Sequence, residues 1–155
     1  MDSARRSQTA GSPAASTEEH LPLRVLIVED HADTAATTAM LLRLCGHDCQ
    51  IAGSGEAALE AVGAYQPDVV LLDIGLPGLN GLEVARKLRE KAERRRPFLI
   101  AITGHDREED RQRSCEAGID LHLVKPLDSA QLEKVLMRFK QLFETRAASP
   151  DLFPE

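Results

Sequence analysis

Four runs rich in aliphatic residues punctuate the chain with little polar alternation: residues 24–28, 69–72, 98–102 and 121–124. A weaker fifth, Asp-Cys-Gln-Ile-Ala, covers residues 48–52. Runs of this kind suit parallel strands buried on both faces. Between them the apolar spacing is helical. Leu82, Ala85, Leu88 and Ala92 form one stripe behind Asn80, a good N-cap, and Leu132, Val135, Leu136 and Phe139 form another behind Asp128. Residues 34–44 and 56–62 read as helices stopped by Gly46 and Gly63. A fifth helix over 106–117, stopped by Gly118, has only Cys115 and Ala117 as apolar anchors, which predicts low local stability. Five strand–helix units in succession predict an α/β, doubly wound parallel sheet.

Composition narrows the class. The chain has 155 residues, enough for one ordinary domain, and with 3% aromatic residues its core must be aliphatic. Residues 1–22 are mostly small and polar and are expected to form a disordered tail; 146–155 are expected to be a flexible C-terminal tail, leaving a folded unit at 23–145. No apolar run approaches the roughly 20 residues of a membrane span, and no secretory h-region is present. Three cysteines, an odd and low number, suit a reducing cytoplasm. Cys45, Cys49 and Cys115 lack metal-ligand spacing and are expected to be small buried or half-buried hydrophobes. A net charge of −6 argues against nucleic-acid binding, and the basic run from Arg86 to Arg96 reads as a solvated helix face.

The candidate chemistry lies at the strand ends. In open α/β sheets, ligands bind beyond the carboxyl ends of the strands. The first, third, fourth and fifth strands end in Glu29-Asp30, Asp73, Thr103 and Lys125. Three carboxylates brought together repel unless a cation lies among them, and Mg²⁺ suits a few carboxylates plus phosphate oxygens. Lys125 and Thr103 would then face the anion. A carboxylate in such company can attack phosphorus and form an aspartyl phosphate. Asp73 is the best candidate, because it follows the most aliphatic strand and precedes the loop Gly75-Leu-Pro-Gly78.

The segments Val-Leu-Ile-Val-Glu-Asp at 25–30, Asp-Val-Val-Leu-Leu-Asp-Ile-Gly-Leu-Pro-Gly-Leu-Asn-Gly at 68–81, Ile-Ala-Ile-Thr-Gly at 100–104 and Leu-Val-Lys-Pro at 123–126 fall in an order that resembles the receiver domains of two-component response regulators. The resemblance spans about residues 23–143. It implies a flavodoxin-like fold with strand order 2-1-3-4-5 and five helices. It further implies that Asp73 is the phospho-acceptor, Asp30 a direct Mg²⁺ ligand, Glu29 a ligand through water, and the Gly75 backbone carbonyl a further ligand. Thr103 and Lys125 would grip the phosphoryl group, and the Lys125–Pro126 bond would be cis. His122 stands three residues before Lys125, where many receivers carry a Tyr or Phe switch that acts with Thr103; two readings stay open, an imidazole filling that switch role or an exposed strand-end side chain.

The implied partner is a histidine kinase or histidine phosphotransfer protein. The implied output is a protein target reached through the fourth helix, fifth strand and last helix. Such a receiver catalyses its own phosphorylation and dephosphorylation, with no separate substrate turnover. The family departures are mild: Glu-Asp where Asp-Asp is also common, and Gly104 where Ala is frequent. The wording at 73–78 and 120–125 looks most like receivers of hybrid sensor kinases. The ten residues after Thr145 are too few for an output domain, so a stand-alone regulator is expected, the alternative being a receiver segment separated from a hybrid kinase.

Two rivals share some of these features. Residues 53–58 (Gly-Ser-Gly-Glu-Ala-Ala) fit a G-x-G-x-x-A dinucleotide fingerprint, with Asp73 at the customary acidic position. Glu56, however, would meet a pyrophosphate in the first helical turn, and this reading leaves Thr103 and Lys125 unused. Ser54 as a helix cap accounts better for the segment. A haloacid-dehalogenase-like phosphatase needs a second acid two residues after the nucleophile, where this chain has Gly75.

Overall fold

The computed structural model describes residues 22–91, 96–104 and 107–148. The segments 1–21 and 149–155, Ala92 in the third helical stripe, Arg94 and Arg95 in the basic run, and Asp106 at the expected start of the fourth helix lie outside the described residues. The order of elements is β1 (Arg24–Val28), α1 (Ala32–Leu44), β2 (Asp48–Ala52), α2 (Gly55–Tyr65), β3 (Val69–Asp73), α3 (Gly81–Lys91), β4 (Phe98–Thr103), α4 (Glu108–Glu116), β5 (Leu121–Val124) and α5 (Ser129–Ala148). All five strands are parallel, in the order β2-β1-β3-β4-β5. The helix α5 runs to Ala148, three residues into the stretch expected as tail. Among the described residues, no helix is long and apolar enough to cross a membrane.

The aliphatic runs are explained by burial on both faces. Every residue of β3, the central strand, is buried. On one face Val25, Ile27, Val69, Leu71, Ile100 and Leu123 pack with Ala35, Ala39 and Leu42 of α1 and Leu132 and Leu136 of α5. On the other, Leu26, Val28, Val70, Leu72, Leu99 and Ala101 meet Ala58 of α2, Val84, Ala85 and Leu88 of α3, and Ala117. The weak pattern of β2 reflects its place at the edge, where only Cys49 and Ala52 are buried. There the Asp48 N–H donates to Leu23 O and Ala52 O accepts from the Glu29 N–H, so Cys49 and Ile51 turn their backbone groups outward. The Arg43 guanidinium donates to Cys49 O at 2.9 Å.

Three expectations need correction. Gly63 does not stop α2, which continues to Tyr65 and ends at Gln66 in the left-handed region (φ 53°). Val62, packed against the core beside Gly63, keeps the last turn helical despite the glycine's cost of roughly 1 kcal/mol. Of the cysteines only Cys49 is buried, its thiol pushed up to about 11 chiefly by burial. Cys45 is exposed as the C-cap of α1, and Cys115 is exposed on α4, which buries Ser114 instead.

His47, in the turn before β2, is 8% exposed, and its Nδ1 is buried with no hydrogen-bond partner among the described residues. Burial first, and Lys140 second, disfavour its charged form and hold its pKa below the ordinary value; Glu133 works weakly the other way. The unfolded chain therefore takes up this proton more readily than the folded one. The resulting stability is fully present above about pH 6.5, the free imidazole value, and is lost as pH falls towards the lower folded pKa. His47→Gln is accordingly expected to flatten the loss of stability between pH 7.5 and 5.5. Urea midpoints at the two pH values check this, and parallel shifts in wild type and variant would disprove it.

Candidate functional site

The carboxyl ends of β1, β3 and β4 and the turn after β5 converge on one crevice. Asp73, the last residue of β3, is 6% exposed. Its Oδ1 accepts from the Gly75 N–H at 3.0 Å and from Lys125 Nζ at 3.3 Å. Glu29 and Asp30 follow β1, and one carboxylate oxygen from each of Glu29, Asp30 and Asp73 lies within 4.8 Å of the others. Glu29 is held by the His31 N–H, which donates to its Oε2 at 3.1 Å. Thr103 closes β4 and is buried, and its carbonyl accepts from the Lys125 N–H at 2.7 Å. The Lys125–Pro126 bond is cis. His122 lies in β5 opposite Ala101, on the sheet face that Thr103 shares.

Local sequence fixes the loop after β3. The Asn80 side chain accepts from the Glu83 N–H at 3.0 Å while Glu83 accepts from the Asn80 N–H at 3.1 Å, a capping box that starts α3. Behind it, a Cβ on Gly81 would come within 2.7 Å of both Asp73 O and the Ile74 Cα, so only glycine lets α3 begin against the end of β3. Neither feature was among the expected site residues, although the Asn-x-x-Glu spacing signals the box. The decoy glycine also has a packing reason. A Cβ on Gly55 would meet Leu79 O at 2.6 Å, and Ser54 caps α2 by accepting from the Ala57 N–H at 3.1 Å.

The electrostatics are those of a cation site. Among the described residues three carboxylates face one ammonium, and burial first, then Asp73 and Asp30, raise the Glu29 carboxyl above its ordinary value against the opposing pull of the His31 N–H and Lys125. Hard oxygen donors in this number, on an excess of negative charge, fit a divalent cation such as Mg²⁺. A groove of about 680 Å³ opens from the site between α1 and α5, with Thr34, Thr37 and Leu41 on one wall and Leu127, Leu132 and Glu133 on the other. Asp73 and Lys125 lie in its lining.

Comparison with known proteins agrees with this geometry. A family model described as "Response regulator receiver domain" matches residues 25–137. The response regulator MprA of Mycobacterium sp. (strain KMS) is 34% identical over 135 residues, covering 87% of this chain and 56% of its own length. The DNA-binding response regulator MtrA of Mycolicibacterium paratuberculosis is 38% identical over 109 residues, covering 70% of this chain and 47% of its own. The chain thus spans about half the length of the curated relatives it matches. Among solved structures, a CheY-like receiver domain protein from Methanospirillum hungatei JF-1 superposes with a TM-score of 0.71 at 26% identity, covering 81% of this chain and 98% of the other.

Proposed function

The chain belongs to the response regulator receiver domain family of two-component signalling, and on that premise we propose that Asp73 accepts a phosphoryl group from a phosphohistidine donor. The observation that supports this most directly is the pairing of buried Asp73 with Lys125 beside Glu29 and Asp30. An Asp73 carboxylate oxygen attacks phosphorus, the new P–O bond forms, and the P–N bond to the donor imidazole breaks. The imidazole leaves with the bonding electrons. Asp30, Asp73 and the Gly75 carbonyl would hold Mg²⁺, with Glu29 acting through water. When bound, the cation offsets the charge that builds on the phosphoryl oxygens. Lys125 and the Thr103 hydroxyl receive those oxygens on the other side.

The donor is a histidine kinase or histidine phosphotransfer protein, and the groove between α1 and α5 gives it a path to Asp73. The signal leaves through α4, β5 and α5, with Thr103 and His122 as the switch, to a protein target rather than to nucleic acid. The working receiver is the unit 23–145, acting in the cytoplasm.

The test is incubation of the protein with acetyl phosphate, with Mg²⁺ or with EDTA, followed by intact mass measurement. One phosphoryl adduct that requires Mg²⁺ and is removed by hydroxylamine is the expected result. An adduct that forms equally well in EDTA, or no adduct from acetyl phosphate or a phosphohistidine protein despite Mg²⁺ binding, would overturn the proposal.

A further inference from the structure

The groove between α1 and α5 reaches down to the sheet itself, where Ile27 of β1, Leu71 of β3 and Ile102 of β4 form its floor. The α1 side chains along it include the short Thr34, Thr37 and Thr38, and among the described residues no Phe, Tyr or Trp lines it. At about 680 Å³ it has the size of a small-molecule site. Its outer wall leaves apolar surface bare, Leu41 being 42% and Leu44 78% exposed. Covering that surface is favourable in proportion to the apolar area removed from water.

Charge decides what can cover it. Among the described residues that line the groove, Glu29, Asp33, Asp73 and Glu133 carry carboxylates, and Lys125 carries the one ammonium, already paired with Asp73 at 3.3 Å. Asp30 adds a further carboxylate at the inner end, one of its oxygens within 4.8 Å of those of Glu29 and Asp73. An anionic ligand would meet this excess of like charge, and a neutral one would leave it unrelieved. A primary ammonium on an apolar chain answers both features, as a compact cation with three donors.

We infer that the groove is a binding site for small alkyl or arylalkyl amines. The ammonium head sits among Glu29, Asp30 and Asp73, and the apolar body lies between Leu41 and Leu44 on one wall and Leu127 and Leu132 on the other. Such a ligand covers Asp73 and lies along the path given above to the phosphoryl donor, so it inhibits the transfer. Only that consequence rests on the phosphoryl reading. The binding is tested in EDTA with no phosphodonor present, so its failure and the failure of that chemistry are told apart.

The full chain is titrated with octylamine, octanol and octanoate, and isoleucine and leucine methyl NMR follows the binding. Octylamine is expected to bind about tenfold or more tightly than octanol, the difference a hydrogen bond to a charged group makes, with octanoate the weakest. The Leu127 and Leu132 methyls should shift, while those of Leu76 and Leu99, on the opposite face of the sheet, should not. Glu29→Gln should weaken octylamine severalfold and leave octanol unchanged, and Thr38→Phe, which fills the groove, should weaken all three. Octanol or octanoate binding as tightly as octylamine would overturn the site, as would an octylamine affinity that either variant leaves intact. Should Thr38→Phe fold poorly, the ranking of the three probes and the position of the shifts in wild type decide: shifts confined to the opposite face, or none at all, refute the inference.

Discussion

Asp73→Asn is expected to abolish the phosphoryl adduct completely while leaving the fold intact. The amide is nearly isosteric with the carboxylate, and its oxygen can still accept from the Gly75 N–H and Lys125 Nζ, which now meet at Oδ1. What it lacks is the nucleophilic charge, and no other described acid is buried between the Gly75 loop and Lys125. The substitution also removes one of three mutually repelling carboxylates. Thermal stability of the metal-free protein should therefore be unchanged or slightly higher, while Mg²⁺ affinity falls by about tenfold or more. Intact mass after acetyl phosphate treatment and a Mg²⁺ titration measure the two effects. A variant phosphorylated as fast as wild type would move the acceptor elsewhere and remove the central residue from the mechanism.

Asp120→Ala should have the largest effect on stability. One Asp120 oxygen accepts from Arg89 Nη2 at 2.7 Å and from the Leu99 N–H at 2.9 Å. The rest of the guanidinium donates to Gly118 O at 2.9 Å and Pro97 O at 3.1 Å. Arg89 thereby ties the end of α3 to the start of β4 and to the turn before β5. The turn is built for it: Gly118 has φ +94°, and a Cβ there would strike Arg89 Cγ at 2.6 Å. The Arg89 side chain is only 14% exposed, so loss of its partner leaves a largely buried charge and an unmet backbone donor. Asp120 itself is 35% exposed, which places the cost below that of a fully buried pair, at about 2–3 kcal/mol. For a domain of this size that corresponds to a melting point lower by roughly 10 °C. Asp120→Asn, which keeps an acceptor, should lose about half as much. A melting point within about 2 °C of wild type for the alanine variant would show the staple to be dispensable.

The contrast between Asp73 and Arg89 shows what the sequence could and could not disclose. Asp73, Thr103 and Lys125 were legible because each closes an aliphatic run, and a strand's end is fixed by local pattern. The strand count and parallel arrangement follow from the same runs. Arg89 sits in a basic stretch that reads as a solvated face, yet it is half-buried. Its partner lies 31 residues away, beyond any helical or strand period. Gly63 and Cys115 misled for a similar reason. Local propensity ranks glycine as a stop and cysteine as an anchor, whereas packing of Val62 and Ser114 decides each case. His122 was ambiguous between an inward switch and an exposed strand end, because alternation on a short edge strand leaves its ring free to take either position; the fold buries both nitrogens.

The contact between Arg43 and the carbonyl of Cys49 bears on how this protein behaves in a crowd. An edge strand with bare backbone groups is a template on which another chain can polymerise. On β2 only Cys49 and Ile51 direct such groups outward, and one of those carbonyls is already engaged by a cationic side chain from the neighbouring helix. A strand docking there must displace a guanidinium and bury its charge, with only a five-residue edge to gain. The β2 edge is therefore guarded against fibre-like growth.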